Sequence, residues 1–264
     1  MRIVRRLSSA WNRHSFGTLL HLIAKNFTYY LGEIFSRRLF RKPEEHESEF
    51  DIVCGTDTEK ICEIGSLDIN SENVRHAVRY QPSPHDFAAE IIQALPIDYS
   101  QFTFIDFGAG KGRVLLIAAQ LPFAAVIGIE FSQELCAIAS NNINKIPENK
   151  RMASLVECHY NDVTLYHLPE TPLVCYFYNP FDQLVMRRVI DNLSSSLRDN
   201  QREIYIIYVH PEHRSLFDTE GCWEVIDESG FHVTYHCSLD KLLPKNRDSL
   251  MSMQGNTPTT QVIR

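Results

Sequence analysis

Asp106 stands two residues ahead of the first of three closely spaced glycines, Gly108, Gly110 and Gly112, within Phe102-Thr-Phe-Ile-Asp-Phe-Gly-Ala-Gly-Lys-Gly-Arg113. An apolar segment, Val114-Leu-Leu-Ile-Ala-Ala-Gln120, follows at once. A strand that turns on glycines into a helix brings backbone N–H groups and a helix N-terminus up against a ligand. The spacing is G-x-G-x-G, not the G-x-G-x-x-G of dinucleotide-binding folds. Lys111-Gly112-Arg113 also lacks the hydroxyl that a phosphate loop places on Mg²⁺. A carboxylate at the strand's carboxyl edge would repel a pyrophosphate. It would attract a ligand bearing positive charge, through the Coulomb interaction in a low-dielectric cleft.

Of the nucleotide-like ligands, S-adenosylmethionine carries both an ammonium and a sulfonium, and the charge at Asp106 selects it. Other residues fit. Ile127-Gly-Ile-Glu130 ends a second strand, with its acid 20 residues beyond Gly110, where it can accept both ribose hydroxyls. Asn161-Asp162 follows a third strand, where Asp162 could read the adenine amino edge. Asn179-Pro180-Phe181 follows a fourth, above the sulfonium, which makes Asn179 a cofactor contact as well. An amine nucleophile needs its lone pair freed and its protons held. The Asn179 side-chain carbonyl and a backbone carbonyl near Pro180 could accept two N–H bonds, with Phe181 packed over the acceptor. The plain alternative for Asn-Pro-Phe is a turn after a strand.

These elements imply an α/β fold in which strands and helices alternate, giving a mostly parallel sheet covered on both faces. Strands are expected at 102–107, 125–131, 153–158, 172–178 and 203–209, and helices at 87–95, 112–120, 132–144 and 182–198. A hairpin at 222–227 and 231–237 closes the domain. Residues 1–42 read as a basic amphipathic helical arm, with Phe16, Leu19, Leu20, Ile23, Phe27, Tyr30, Leu31, Ile34 and Phe35 at three- and four-residue steps. Residues 43–79 read as a polar linker and lead-in, 80–239 as the ligand-binding domain, and 240–264 as an irregular tail.

The net charge of −7 conceals an asymmetry. The arm has nine Lys/Arg against the one acid Glu33, a charge of +8, which leaves −15 on the rest. An acidic body disfavours nucleic acid as the partner of the domain itself, and leaves the arm for anionic lipid or a docking partner. Seven cysteines without a C-x-x-C pair form a reduced pattern, expected of a cytoplasmic protein that meets the membrane at most peripherally. An Arg-rich, acid-poor start is also that of a mitochondrial transit peptide, with no further support. Cys158-His159 has no third ligand at metal spacing, so no metal site is expected. Lys111 and Arg113 could steer an anionic substrate, although an arginine opening a helix more often ties it to nearby acids. His210, in His210-Pro-Glu-His213 after the fifth strand, could act as a general base, with an inert loop histidine as the plainer reading.

Over about residues 80–237 the chain resembles the class I, seven-stranded S-adenosylmethionine-dependent methyltransferases. The motifs are Ile105-Asp-Phe-Gly-Ala-Gly-Lys-Gly-Arg113, Gly128-Ile-Glu130, Asn161-Asp162 and Asn179-Pro-Phe181. The resemblance implies that Asp106, Gly108, Ala109 and Gly110 hold the methionine and ribose part of the cofactor, Glu130 the ribose and Asp162 the adenine. It also implies a sheet with one antiparallel strand. A narrower likeness is to bacterial methyltransferases of undefined substrate, which pair a basic N-terminal helix with a Tyr-x-Pro-[ST] loop. That loop, Tyr80-Gln-Pro-Ser83 here, also resembles non-SET histone-lysine-type methyltransferases and adds Tyr80, Gln81 and Ser83 as cofactor candidates. Their substrate loops are not recognisable here. Amino-methylating enzymes of this fold carry Asn/Asp-Pro-Pro-aromatic, and the second proline is absent here. The expected activity is methyl transfer to an amine-type acceptor on a protein or a small molecule. The alternatives are a non-catalytic cofactor-fold module docking through the arm, and an RNA or DNA methyltransferase.

Overall fold

The computed structural model describes residues 49–59, 83 and 85–237, all within one compact unit, Ser48–Arg264. The arm 1–42, Tyr80, Gln81 and the tail 240–264 lie outside the described residues. Seven strands form one sheet: β1 (Thr103–Phe107), β2 (Ala125–Glu130), β3 (Val156–Tyr160), β4 (Leu173–Tyr178), β5 (Ile204–Val209), β6 (Glu224–Glu228) and β7 (His232–Cys237). Their order is β3-β2-β1-β4-β5-β7-β6. The pairs from β3 to β5 are parallel, and β7 runs antiparallel to both β5 and β6. The α/β sheet with a single antiparallel strand is the one the sequence led us to expect.

The helices are α1 (Glu49–Cys54), α2 (His85–Gln93), α3 (Arg113–Ala118), α4 (Gln133–Ile143), α5 (Gln183–Asp199) and the short α6 (Ser215–Asp218). Sequence-local signals start two of them. The Ser132 side chain accepts from the Leu135 amide at the head of α4, and Asp182 accepts from the Leu184 and Val185 amides at the head of α5. Val185, Val189, Leu193 and Leu197 then recur on one face of α5 and are buried.

Because side chains alternate along a strand, β1 feeds two cores. Ile105 and Phe107 join the core under α5 and α6, where Phe107 stacks on Phe177 at 4.6 Å. Phe104 joins the opposite core with α2 and α3. Asp106 takes the parity of Phe104 and lies in register with Gly128 on one side and Tyr176 on the other.

Beyond shifts of one or two residues at element ends, three stretches differ from expectation. The third strand runs 156–160 instead of 153–158. The Met152 and Ala153 amides donate to the Ala119 carbonyl and Ser154 to that of Phe123, so this stretch is tied to the loop ahead of β2 and not to its ladder. Helix α2 begins at His85, which puts Asp86 inside its first turn, while Ser83 accepts a bond from the Tyr176 hydroxyl. The polar lead-in contains helix α1 and a fully buried Thr58. Among the described residues no helix is long and apolar enough to cross a membrane.

Candidate functional site

The carboxyl ends of β1, β2 and β4 meet at the glycine turn. Gly108, Gly110 and Gly112 have φ of 85°, 54° and 82°, a region that favours glycine. Gly108 is also required sterically, since a Cβ there would lie 2.8 Å from the Pro180 Cβ. The β1 turn and the Asn179-Pro-Phe181 turn after β4 are thus packed against each other. Gly128 on β2 leaves space in the same way: a Cβ would come within 2.8 Å of the Ala109 Cβ and 2.6 Å of Leu115.

The turn's amides are engaged within the protein. The Gly108 and Ala109 N–H groups both donate to the Ile129 carbonyl, at 2.9 and 3.1 Å. Gly110 donates to Glu130 Oε2 at 2.8 Å, and Gly112 to the Ala109 carbonyl at 2.8 Å. The bare N–H cradle that the glycine pattern first suggested is therefore not formed at 108–110. A phosphate would lack the donors that such loops normally give it.

What the site does present is buried acid. Asp106 is 4 % exposed and Glu130 is 3 % exposed. Burial pushes the Asp106 carboxyl up to about 8, and the neighbouring Glu130 charge adds to the rise. Burial pushes Glu130 up to about 7, against the bonds it accepts from the Ser132, Gly110 and Phe131 amides. Two carboxylates close together in a low-dielectric surrounding resist ionising together. A cation brought beside them would relieve both, so the residues present fit a positively charged ligand and oppose an anionic one.

Around this pair the expected site residues are arranged unequally. Ser83, also buried, lies against Tyr176, whose hydroxyl reaches Ser83 Oγ at 3.1 Å. Through its register with Asp106, Tyr176 brings Ser83 to the Asp106 face of the sheet. Asp162 lies just past the end of β3, and its Oδ1 accepts from the Thr164 amide (2.8 Å) and hydroxyl (2.7 Å). It therefore braces its own turn. Ala109 is buried and contributes backbone and packing. Phe181, 4 % exposed, is part of the α5-side core. Its ring backs the Gly108 turn and does not form the open platform over an acceptor that its position suggested.

Asn179 and His210 carry the additional strain. They follow β4 and β5 directly, and Tyr178 is in register with Val209, so the two residues are neighbours across parallel strands. Both have positive φ, 41° and 48°. Non-glycine residues in this region cost about 1–3 kcal/mol and cluster at ligand sites. The Tyr208 hydroxyl approaches Asn179 Oδ1 at 3.4 Å. The His210 ring lies edge-on to Tyr178 (5.3 Å) and Phe231 (6.1 Å), and burial holds its imidazole below the ordinary histidine value, against a pull upward from Glu212. No motif in the chain marked this residue strongly; its position just after β5 was the available signal.

Lys111 and Arg113 face away from any anionic substrate role. Lys111 is 1 % exposed, with Nζ 2.8 Å from Asp57 Oδ1. The Arg113 Nε donates to Thr58 Oγ1 at 2.8 Å, and its guanidinium lies 3.7 Å from Asp51 and 3.8 Å from Glu59. The tie to nearby acids is the reading that holds for Arg113. Its partners went unrecognised in the sequence because they lie in the polar lead-in, more than fifty positions earlier.

No family model matches the sequence. The release factor glutamine methyltransferase of Caulobacter vibrioides is 33 % identical over 76 residues, which are 28 % of this chain and 26 % of that protein. The matched stretch thus spans about a quarter of that curated relative's length. Among solved structures, an RNA methyltransferase from Salinibacter ruber in complex with S-adenosyl-L-homocysteine is 17 % identical with a TM-score of 0.42, covering 62 % of this chain and 97 % of that one. A ribosomal protein L11 methylase from Lactobacillus delbrueckii subsp. bulgaricus is 15 % identical with a TM-score of 0.40, covering 58 % and 75 %.

Proposed function

We propose that this chain is a class I S-adenosylmethionine-dependent methyltransferase acting on a nitrogen of a protein or a small molecule. The observation that carries the reading is the buried pair Asp106 and Glu130 beside a glycine turn whose amides are already engaged. When bound, S-adenosylmethionine supplies an electrophilic methyl group on a sulfonium. Asp106 would hold its ammonium. Glu130, which accepts from the Gly110, Ser132 and Phe131 amides, keeps acceptor capacity among the roughly four lone-pair positions of a carboxylate for a ribose hydroxyl. Asp162 and Ser83 would flank the adenine and methionine ends.

Asn179 would orient the acceptor. Its Oδ1 can take an N–H and so turn the nitrogen lone pair into line, and positioning of this kind supplies much of the rate in a displacement. The strained backbone at Asn179 and the packing of the next residue, Pro180, beside Gly108 support the assignment. The curated relative is named for glutamine methylation of a release factor, which supports a protein nitrogen as acceptor.

Calorimetry with S-adenosylmethionine tests the cofactor. Labelled cofactor incubated with protein, nucleic-acid and small-molecule fractions of a lysate tests the acceptor class. Heat of binding with label in a protein or small-molecule fraction is expected; label confined to nucleic acid would reverse the acceptor assignment. Asn179→Gly keeps the left-handed backbone and removes only the amide. Its cofactor affinity should stay within about twofold while transfer falls about a hundredfold, the scale of a lost transition-state hydrogen-bonding group.

A further inference from the structure

Asp51, Asp57, Thr58 and Asn142 lie on the far side of the glycine turn from Pro180, and they join three stretches distant in sequence. Asp51, in α1, folds residues 49–59 back on themselves. Its Oδ2 accepts from the Thr58 and Glu59 amides at 2.9 and 3.0 Å, and its Oδ1 from the hydroxyls of Thr56 and Thr58. Burial alone would raise this carboxyl, but the bonds from Thr56 and Thr58 and the Arg113 charge hold it below its ordinary value. Thr58 relays the contact onward by accepting from Arg113 Nε.

Asn142 of α4 is fully buried and closes the assembly. Its Oδ1 accepts from the Asp57 amide, and its Nδ2 donates both to the Asp57 carbonyl and to the Lys111 carbonyl, all at 3.0 Å. One side chain therefore fixes the folded segment, the glycine turn and α4 together. The turn's two cations, Lys111 and Arg113, are matched by the segment's acids. Removing those acids would strand a buried ammonium in the middle of the turn, a situation far costlier than the pair itself is favourable.

We infer that residues 49–59 form a strap that positions the Gly110–Arg113 half of the cofactor turn, so that strap docking and cofactor binding are coupled. The inference rests on the cofactor reading given above. Asp57, Thr58 and Asn142 are positioning residues, acting through Lys111 and Arg113. Coupling is reciprocal: whatever loosens the strap weakens cofactor binding, and bound cofactor holds the strap.

The test uses the full chain with Asp57→Asn, which removes the charge and spares the backbone bonds to Asn142. S-adenosylmethionine binding should weaken about tenfold, within the usual range of coupling between sites. In the ligand-free variant, amide hydrogen exchange at Gly110 and Gly112 should accelerate by a similar factor. In the wild type, added cofactor should slow exchange at Thr58 and Glu59. Val189→Ala, in the opposite core, controls for general loss of stability and should change neither affinity nor exchange at the turn. Unchanged affinity and unchanged turn exchange in Asp57→Asn would overturn the inference. If the wild type binds no S-adenosylmethionine, the cofactor reading fails. Exchange at Gly110 and Gly112 then still decides whether the strap positions the turn.

Discussion

Replacing Gly108 by alanine should abolish measurable cofactor binding and lower the melting temperature of the ligand-free protein by roughly 4–20 °C. Two costs combine. A φ of 85° is outside the comfortable range of an L-residue, and the new Cβ would lie 2.8 Å from the Cβ of Pro180. The first costs about 1–2 kcal/mol. The second forces a backbone shift, because neither atom is the end of a flexible side chain, and overpacking of this kind costs about 1–3 kcal/mol. At about 2–4 °C per kcal/mol for a domain of this size, a drop in that range follows. The shift itself falls on Asn179-Pro-Phe181, so the β4 turn proposed to meet the acceptor would move together with the β1 turn. Gly221→Ala is the control. Its Cβ would meet nothing within 4 Å, and it should melt like the wild type. Thermal unfolding and calorimetry on the two variants decide the point; a Gly108→Ala protein that binds cofactor normally would remove the turn from the site.

The second large effect is electrostatic and changes sign with the ligand. Asp106→Asn should weaken S-adenosylmethionine binding at least tenfold, yet make the ligand-free protein more stable above neutral pH. The folded-state carboxyl is pushed up to about 8 from an ordinary value of 3.8. A raised acid favours folding fully below its unfolded value, and that contribution is lost as pH climbs through the folded value. Glu130, raised from 4.5 to about 7, acts in the same direction. The ligand-free wild type should therefore lose stability steadily between about pH 5 and pH 8.5. Asp106→Asn should flatten that decline and melt a few degrees higher at pH 8, on the order of 1–2 kcal/mol. Cofactor affinity of the wild type should rise over the same interval, because a cation binds the ionised pair and expels its proton. Melting curves from pH 5 to 8.5 with and without cofactor would reveal both trends. A wild type whose stability is flat across that range would contradict the buried-acid description of the site.

The alternation of strands and helices was readable because it is written locally. Ser132 and Asp182 announce their helices within four residues, and β1 declares itself through apolar alternation into glycines. Asp106 and Glu130 were legible for the same reason: each stands at a fixed offset from a glycine, at a strand end. The strap was not. Asp51, Thr56, Asp57, Thr58 and Glu59 read as solvated polar residues, and only the path of the chain puts them opposite Lys111, Arg113 and Asn142. Acids spaced to match the cations of Gly110-Lys-Gly-Arg113 were the available signal, but pairing across more than fifty positions has no periodicity to expose it. The use of the turn's amides was equally hidden. A glycine pattern indicates that a backbone can approach something closely; it does not say whether that something is a ligand or, as with Ile129 and Glu130, the neighbouring strand. The strain at Asn179 and His210 is a property of two strand ends side by side, which sequence order separates by thirty residues.

The position of β7 has a consequence for how the chain is made. It lies between β5 and β6, although it leaves the ribosome after both. Until Cys237 has been synthesised, β5 keeps an open ladder edge of fully buried type, Ile-Tyr-Ile-Ile-Tyr-Val, and β6 has no strand to pair with. An apolar edge of that kind templates pairing with other chains. This strand, the last among the described residues, therefore works as a closure, and a nascent chain halted before residue 232 would be a sticky one, complete from β3 to β4 and open beyond β5.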